Sequence, residues 1–120
     1  MADIARFWRD VDARDWDGVA EQLTPELAAE WPQSREYTAT AAEFLAFESA
    51  FPGEWTLELV ELRADDRGAV SRIAFTVDGE TVTGISFFRF ARDGRIASIE
   101  EYWPEPYEPP AGQEGRLPRR

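Results

Sequence analysis

The second half of the chain constrains the fold most, because three turn signals divide it into four apolar ribbons. From Trp55 onward the ribbons read TLELVELRA, AVSRIAFTV, TVTGISFFRF and RIASIEEYW, separated by DDRG, DG and RDG. Such turns join neighbouring antiparallel strands. The pattern therefore predicts a four-stranded antiparallel meander. DDRG can close in two ways, which leaves open the face on which Glu61 lies.

The first half of the chain predicts helices. Apolar residues recur at helical spacing in IARFWRDV behind Asp3, and DWDGVAEQL continues as a second short helix behind Asp15. In TAAEFLAFESAF, Thr40 and Glu43 form a capping box, and Pro52 follows the helix end. Helices followed by strands give an α+β fold, with N-terminal helices packed on a curved antiparallel sheet.

Composition excludes several classes of site and partner. The net charge of −11 opposes binding to nucleic acid or to anionic membrane surfaces. The chain has no Cys and no His, which removes thiolate and imidazole metal sites, thiol nucleophiles and Ser-His-Asp triads. We therefore expect no metal and no cofactor, and proton transfer would use Asp, Glu, Tyr or basic side chains.

The expected location of the protein in the cell follows from two features that the sequence lacks, a signal peptide and a membrane-spanning segment. The N-terminal stretch MADIARFWRDVD is amphipathic and acidic, unlike a signal peptide, and no segment approaches the ~20 apolar residues of a membrane span. These features predict a cytoplasmic protein without a membrane partner.

The order of these elements resembles a known superfamily. WP before a helix and the closing pattern F-x-R-F-x-x-D-G-x-I-x-x-I-x-x-Y-W are similar to nuclear transport factor 2-like proteins, and most to their SnoaL-like branch. The resemblance implies a cone-shaped, cystatin-like fold with an apolar pocket, often in a dimer. It covers one SnoaL-like domain, residues 1–107, and leaves the Pro- and Gly-rich residues 108–120 as an extended or disordered tail.

Family mechanisms can be compared with this sequence residue by residue. Ketosteroid isomerases carry an Asp base where Trp31 stands here, and their oxyanion-hole positions fall on Phe7 and Ile85. Their chemistry is therefore not predicted. Limonene epoxide hydrolase carries Arg-x-Asp and a second Asp, and those positions fall on Arg72-Ile73-Ala74 and on Glu101. Arg72 therefore matches the Arg, Glu101 is an acid in place of the second Asp, and Ala74 replaces the first Asp.

Strand register predicts which side chains share a face with Glu101. If residues 92–94 form a three-residue loop, Ile85 faces Glu101, and if Asp78-Gly79 form a two-residue turn, Arg72 faces Ile85. Arg72 and Glu101 are therefore the candidate catalytic pair, with Glu101 as acid or base and Arg72 orienting it. The alternative is a cross-strand ion pair that sets register.

The two faces of the predicted sheet indicate a binding pocket on the Glu101 side and a dimer surface on the other. The candidate ligand-binding residues are apolar or aromatic, and each could instead be ordinary core: Trp31, Tyr37, Phe44, Trp55, Ile85, Phe87 and Trp103. The ligand expected from such a lining is a small apolar molecule. The opposite face would carry apolar side chains that a homodimer would cover: Ile73, Phe75, Val82, Phe88, Phe90, Ile96 and Tyr102.

These observations predict a small-molecule pocket protein. One form is an acid/base enzyme of cyclase, hydrolase or isomerase type acting on a small apolar cyclic substrate. The other is a non-catalytic ligand-binding or dimerisation module. Fold likeness alone does not separate the two.

Overall fold

Three helices pack on one six-stranded sheet in the computed structural model, which describes residues 2–120. The elements in chain order are α1 (Ile4–Asp12), α2 (Trp16–Ala20), β1 (Leu23–Trp31), β2 (Glu36–Thr38), α3 (Ala41–Ser49), β3 (Trp55–Ala64), β4 (Gly68–Val77), β5 (Glu80–Phe90) and β6 (Ile96–Tyr102). The α+β class is confirmed.

The sheet is mixed rather than antiparallel throughout. Its strand order is β2-β1-β6-β5-β4-β3, and β1 runs parallel to β6 while the other neighbours are antiparallel. The sequence prediction missed β1 and β2, because a buried strand beside β6 does not need the alternating pattern of a hairpin. Through this pairing Trp31, at the end of β1, comes close to the end of β6.

The helix starts follow the predicted capping residues. The Asp3 side chain accepts a hydrogen bond from the Arg6 backbone N–H (3.0 Å), and Thr40 accepts one from the Glu43 N–H (3.1 Å). Glu43 in turn accepts a hydrogen bond at 3.0 Å from the N–H of Ala39, one residue before the cap, so the reciprocal bond of the capping box is shifted by one residue. This box fixes the start of α3, whose later residues contribute to the site.

The β4–β5 hairpin has the predicted register. Asp78 and Gly79 have φ angles of 52° and 80°, as a two-residue hairpin turn requires, and Val77 pairs with Glu80. Arg72 therefore faces Ile85, as expected. In the β3–β4 hairpin, Ala64 pairs with Ala69, and a bulge between Leu59 and Glu61 places Glu61 opposite Arg72.

A bulge in β6 makes the predicted β5–β6 register wrong by one residue. The loop closes as expected, with the Ala91 N–H donating to the Arg95 carbonyl at 2.7 Å. The pairing then shifts from Phe90–Ile96 to Arg89–Ser98, so β6 contains one extra residue. Glu101 consequently pairs with Ser86 rather than with Ile85, and every β5 side chain predicted beside it lies on the other face.

The same shift corrects the predicted outer surface. Ile73, Phe88 and Ile96 are 1%, 3% and 0% exposed and belong to the core, and Phe75 and Phe90 pack against it. Val82 is exposed, and Tyr102 contacts Phe87 with their ring centroids 6.0 Å apart. The sheet face that was predicted to form the dimer interface therefore lies largely in the interior of the protein.

The chain after β6 contains no helix or strand through Arg120. Residues 111–117 form turns, and an ion pair joins Arg119 to Glu108 at 2.8 Å between two exposed side chains. No helix in the described part of the chain is both long and apolar enough to cross a membrane.

Candidate functional site

Glu101 is a buried carboxylate held by three side-chain donors. It is 7% exposed, on the sheet face that packs against the helices. Its Oε1 accepts hydrogen bonds from the indole N–H groups of Trp31 (3.2 Å) and Trp103 (3.0 Å), and its Oε2 accepts one from the Ser86 hydroxyl (3.0 Å). Within residues 2–120 it forms no ion pair, so a buried acid here is matched only by neutral donors.

The position of Trp103 depends on a glycine in the middle of β5. A Cβ on Gly84 would lie 2.9 Å from two ring carbons of Trp103 and 3.1 Å from Ile73. Only glycine leaves room for the indole over the strand at this distance. Gln33 fixes the backbone of Trp103 from the other side, accepting from its N–H at 2.6 Å and donating to its carbonyl at 3.2 Å.

A second carboxylate, Glu48 of α3, shares a small interior cavity with Glu101. The cavity measures about 40 Å³ and is otherwise lined by apolar and aromatic side chains, among them Trp8, Phe51 and Trp103. Glu48 is partly buried, and its carboxylate has no hydrogen bond or ion pair with the described residues. Two acids thus face one apolar space without a cation between them.

The surroundings of these acids raise both pKa values. Burial raises the pKa of Glu48 to about 8, with a further contribution from the negative charge of Glu101. Burial also raises the pKa of Glu101, while the hydrogen bonds from Ser86, Trp31 and Trp103 oppose that rise. Because Glu101 has three donors and Glu48 has none, the negative charge of the pair is better accommodated on Glu101.

Glu101 and Trp103 also line an open cleft of about 480 Å³, to which Glu48 does not contribute. Its wall is aromatic and acidic: Trp31, Tyr37, Phe47 and Trp103 contribute rings, and Glu36, Glu101 and Glu105 contribute carboxylates. Trp31 and Phe47 contact each other with ring centroids 5.0 Å apart. Glu101 and Trp103 therefore lie between an external cleft and an internal cavity.

The structure does not bring Arg72 to Glu101. Arg72 is half exposed and pairs with Glu61 at 2.7 Å on the outer face of the sheet. The predicted catalytic pair is thus separated by the sheet, because the bulge in β6 shifts Glu101 by one residue. Ser86, not Arg72, is the sheet residue that contacts the carboxylate.

The predicted ligand-binding residues divide into three groups. Trp31, Tyr37 and Trp103 line the cleft with Glu101. Phe44 stacks behind Trp31 at 6.5 Å, and Trp55 lines the interior cavity. Ile85 and Phe87 alternate with the inward Ser86 and lie on the other face, where Phe87 borders a separate depression of about 680 Å³.

Sequence reasoning missed Glu48, Ser86 and Phe47. Glu48 follows Phe44 by four residues and precedes Phe51 by three, so its position on the apolar face of α3 was visible in the helical period. Ser86 required the bulge in β6 to be known. Within the part of the chain that the structure covers, no group of three or more acidic side chains is arranged to hold a metal ion.

Comparison with known proteins agrees with the observed fold. The SnoaL-like domain family matches residues 4–99. A candidate ketosteroid isomerase from Kribbella flavida is 30% identical, with a TM-score of 0.86 over 96% of this chain and 84% of that one. Among curated proteins, none matches the sequence significantly.

More distant structures share the fold alone. A candidate polyketide cyclase from Sinorhizobium meliloti is 22% identical, with a TM-score of 0.69 over 80% of this chain and 89% of that one. An LEH-like epoxide hydrolase from M. tuberculosis is 17% identical, with a TM-score of 0.67 over 84% and 79%. The names of these proteins span several reaction types, so the fold does not select one.

Proposed function

Since this chain belongs to the SnoaL-like domain family of the nuclear transport factor 2-like superfamily, we propose that it binds a small molecule in the aromatic cleft and transfers protons through Glu101. One observation carries the proposal: a buried carboxylate forms the wall between an open cleft and an apolar cavity. A pocket with a few polar groups converging on it is the usual form of a small-molecule site.

The cleft supports a ligand with an apolar, ring-sized body. Its volume of about 480 Å³ suits a small molecule, and four aromatic side chains offer flat surfaces. Such a ligand would place its reacting atom beside Glu101, because that residue is the most buried acid of the wall.

The proton step is assigned to the pair of acids. Glu101, stabilised as an anion by three donors, removes a proton from a carbon or a water molecule beside it and then returns that proton. Glu48 keeps its own proton near neutral pH and shares only the interior cavity with Glu101, so it tunes the base rather than touching the ligand.

The test uses 2-tetralone, an apolar cyclic ketone with acidic α-protons, and follows deuterium incorporation in D₂O by NMR. We expect the chain to accelerate exchange, and Glu101→Gln to lower the catalysed rate by about 10²-fold or more while the protein stays folded. The matched control is Glu100→Gln, because Glu100 is the adjacent acid on the exposed side of β6 and the charge change is the same.

A second outcome would favour binding without catalysis. Both oxygens of Glu101 already accept hydrogen bonds, and no cationic side chain lines the described cleft to stabilise an enolate. If 2-tetralone binds but its exchange is the same with and without Glu101, the chain is a ligand-binding module. If it neither binds nor exchanges, the proposal fails for this ligand class.

We also propose a homodimer through the corrected outer face of the sheet. Val70 and Phe87 are substantially exposed there, and Phe87 packs against Tyr102. Covering such a patch would remove apolar surface from water. Light scattering at micromolar concentration should give twice the mass of 13.7 kDa, and Phe87→Ser should reduce it to the monomer mass.

A further inference from the structure

We propose that the ligand of the cleft carries a positive charge, in the form of an alkylammonium group held between the aromatic rings and Glu101. The inference rests on the proposed binding function of the cleft and names the chemical class of its ligand. It follows from the charges and rings that surround the cleft.

The first observation is a buried carboxylate that has no cationic partner among the described residues. Glu101 is 7% exposed and accepts hydrogen bonds from neutral groups only. Buried charges in proteins are ordinarily paired, because desolvation is costly. A cation in the cleft would lie next to this carboxylate and supply the opposite charge.

The second observation is the kind of surface that faces the carboxylate. Trp31, Tyr37, Phe47 and Trp103 line the cleft, and aromatic faces attract cations within about 6 Å of the ring centroid. Several rings around one position form the arrangement that recognises quaternary ammonium groups. A neutral apolar ligand would use the rings but leave the carboxylate charge unmatched.

The third observation is the sign of the remaining wall. Glu36 and Glu105 add two carboxylates to the cleft, and no Arg lines it among the residues described, although Arg35 is adjacent in sequence. An anionic ligand would meet three acids and no compensating base. The electrostatics therefore select against anions and in favour of cations.

The test compares two ligands of the same shape that differ in charge. Choline and 3,3-dimethylbutan-1-ol are titrated into labelled full-length protein at pH 7.5 and 150 mM NaCl, where long-range attraction by the acidic surface is screened. Binding is followed by the NMR shifts of the Trp31 and Trp103 indole N–H groups. We expect choline to bind at least tenfold more tightly, which corresponds to about 1.4 kcal/mol.

Substitutions of Tyr37 and Glu101 assign the preference for choline to the aromatic ring and to the carboxylate. Tyr37 is 74% exposed, so Tyr37→Leu removes a ring from the cleft with little effect on folding, and Tyr37→Phe retains the aromatic face. The matched control is Tyr107→Leu, since Tyr107 is 81% exposed and does not line the cleft. Tyr37→Leu should weaken choline binding about threefold or more, and the other two should not. Glu101→Gln should reduce the preference for choline over its neutral isostere.

The outcomes separate this inference from the function on which it rests. If the neutral alcohol binds the cleft as tightly as choline, the inference is wrong and the small-molecule site stands. If choline binds equally well to wild type and to Tyr37→Leu without shifting either indole, the cation is held elsewhere on the acidic surface and the inference is wrong. If neither probe binds, the inference is wrong, and 2-tetralone then decides separately whether the cleft is a ligand site.

Discussion

Replacing Glu48 by Gln should make the protein more stable at alkaline pH and change little at acidic pH. The pKa of Glu48 is raised from 4.5 to about 8 because the side chain faces the apolar cavity and the charge of Glu101. Between these two values the folded chain keeps a proton that the unfolded chain releases. The protonated Glu48 side chain therefore contributes its full share of the unfolding free energy below about pH 4.5. That contribution declines as pH rises and is lost by about pH 8.

The size of the effect follows from the width of this pH window. Each pH unit inside it costs up to about 1.4 kcal/mol of unfolding free energy. The full window gives a ceiling of about 4 to 5 kcal/mol, and partial exposure of Glu48 on α3 reduces the expected value to about 2 kcal/mol. Gln is neutral at every pH, so the substitution removes this loss. The gain at pH 8.5 should raise Tm by roughly 6 to 12 °C.

Urea unfolding followed by Trp fluorescence, at pH 5, 6, 7, 8 and 9, measures the difference between wild type and Glu48→Gln. Asp65 and Asp93, whose turn N–H groups lower their pKa values, titrate below this range. Glu58→Gln is the control, because Glu58 is an exposed residue of β3, and it should stay within about 0.5 kcal/mol of wild type. A difference between wild type and Glu48→Gln that does not grow with pH would refute the assignment of a protonated Glu48.

Two further substitutions test residues that position Trp103 and Glu101, and one deletion tests the C-terminal segment. Gly84→Ala would place a methyl group 2.9 Å from the Trp103 ring, and should cost about 1–3 kcal/mol in urea unfolding; unchanged stability would show that the indole can shift freely. Ser86→Ala removes a buried donor to Glu101 and should also cost about 1–3 kcal/mol, whereas a loss below 0.5 kcal/mol would mean that the carboxylate finds another donor. Deleting residues 109–120 should leave Tm nearly unchanged, since the ion pair that is lost joins two exposed side chains, and a loss of ~1 kcal/mol or more would show that this segment packs.

The local signals in the sequence predicted most of the fold. The caps at Asp3 and Thr40 and the Asp78-Gly79 turn depend on interactions between neighbouring residues, and such interactions can be predicted from spacing alone. The burial of Glu101 also followed from its place two residues before Trp103. The parallel pairing of β1 with β6 could not be predicted in this way, because its partners are about seventy residues apart and no turn joins them.

The partner of Glu101 was predicted wrongly for a specific reason. A bulge of one residue in β6, after a correctly predicted loop, exchanges the two faces of β5 relative to β6. Nothing in RIASIEEYW distinguishes a regular strand from one with an extra residue near its start. Which side chain lies opposite Glu101 therefore depends on a bulge that the strand pattern does not encode. The burial of Glu101 does not depend on that bulge.

The stability lost by burying Glu48 and Glu101 at an apolar cavity is itself evidence about function. Glu48 and Glu101 face an apolar cavity in which well-packed hydrophobic side chains of similar volume would be expected to give a more stable protein. The stabilising features nearby do not offset this cost by pairing either acid with a cation. Instead, Gly84 makes room for Trp103, and Trp31, Trp103 and Ser86 direct three donors at one carboxylate. An arrangement that stabilises the anion on Glu101 alone, beside an open aromatic cleft, is the arrangement that a base or a cation-binding carboxylate requires.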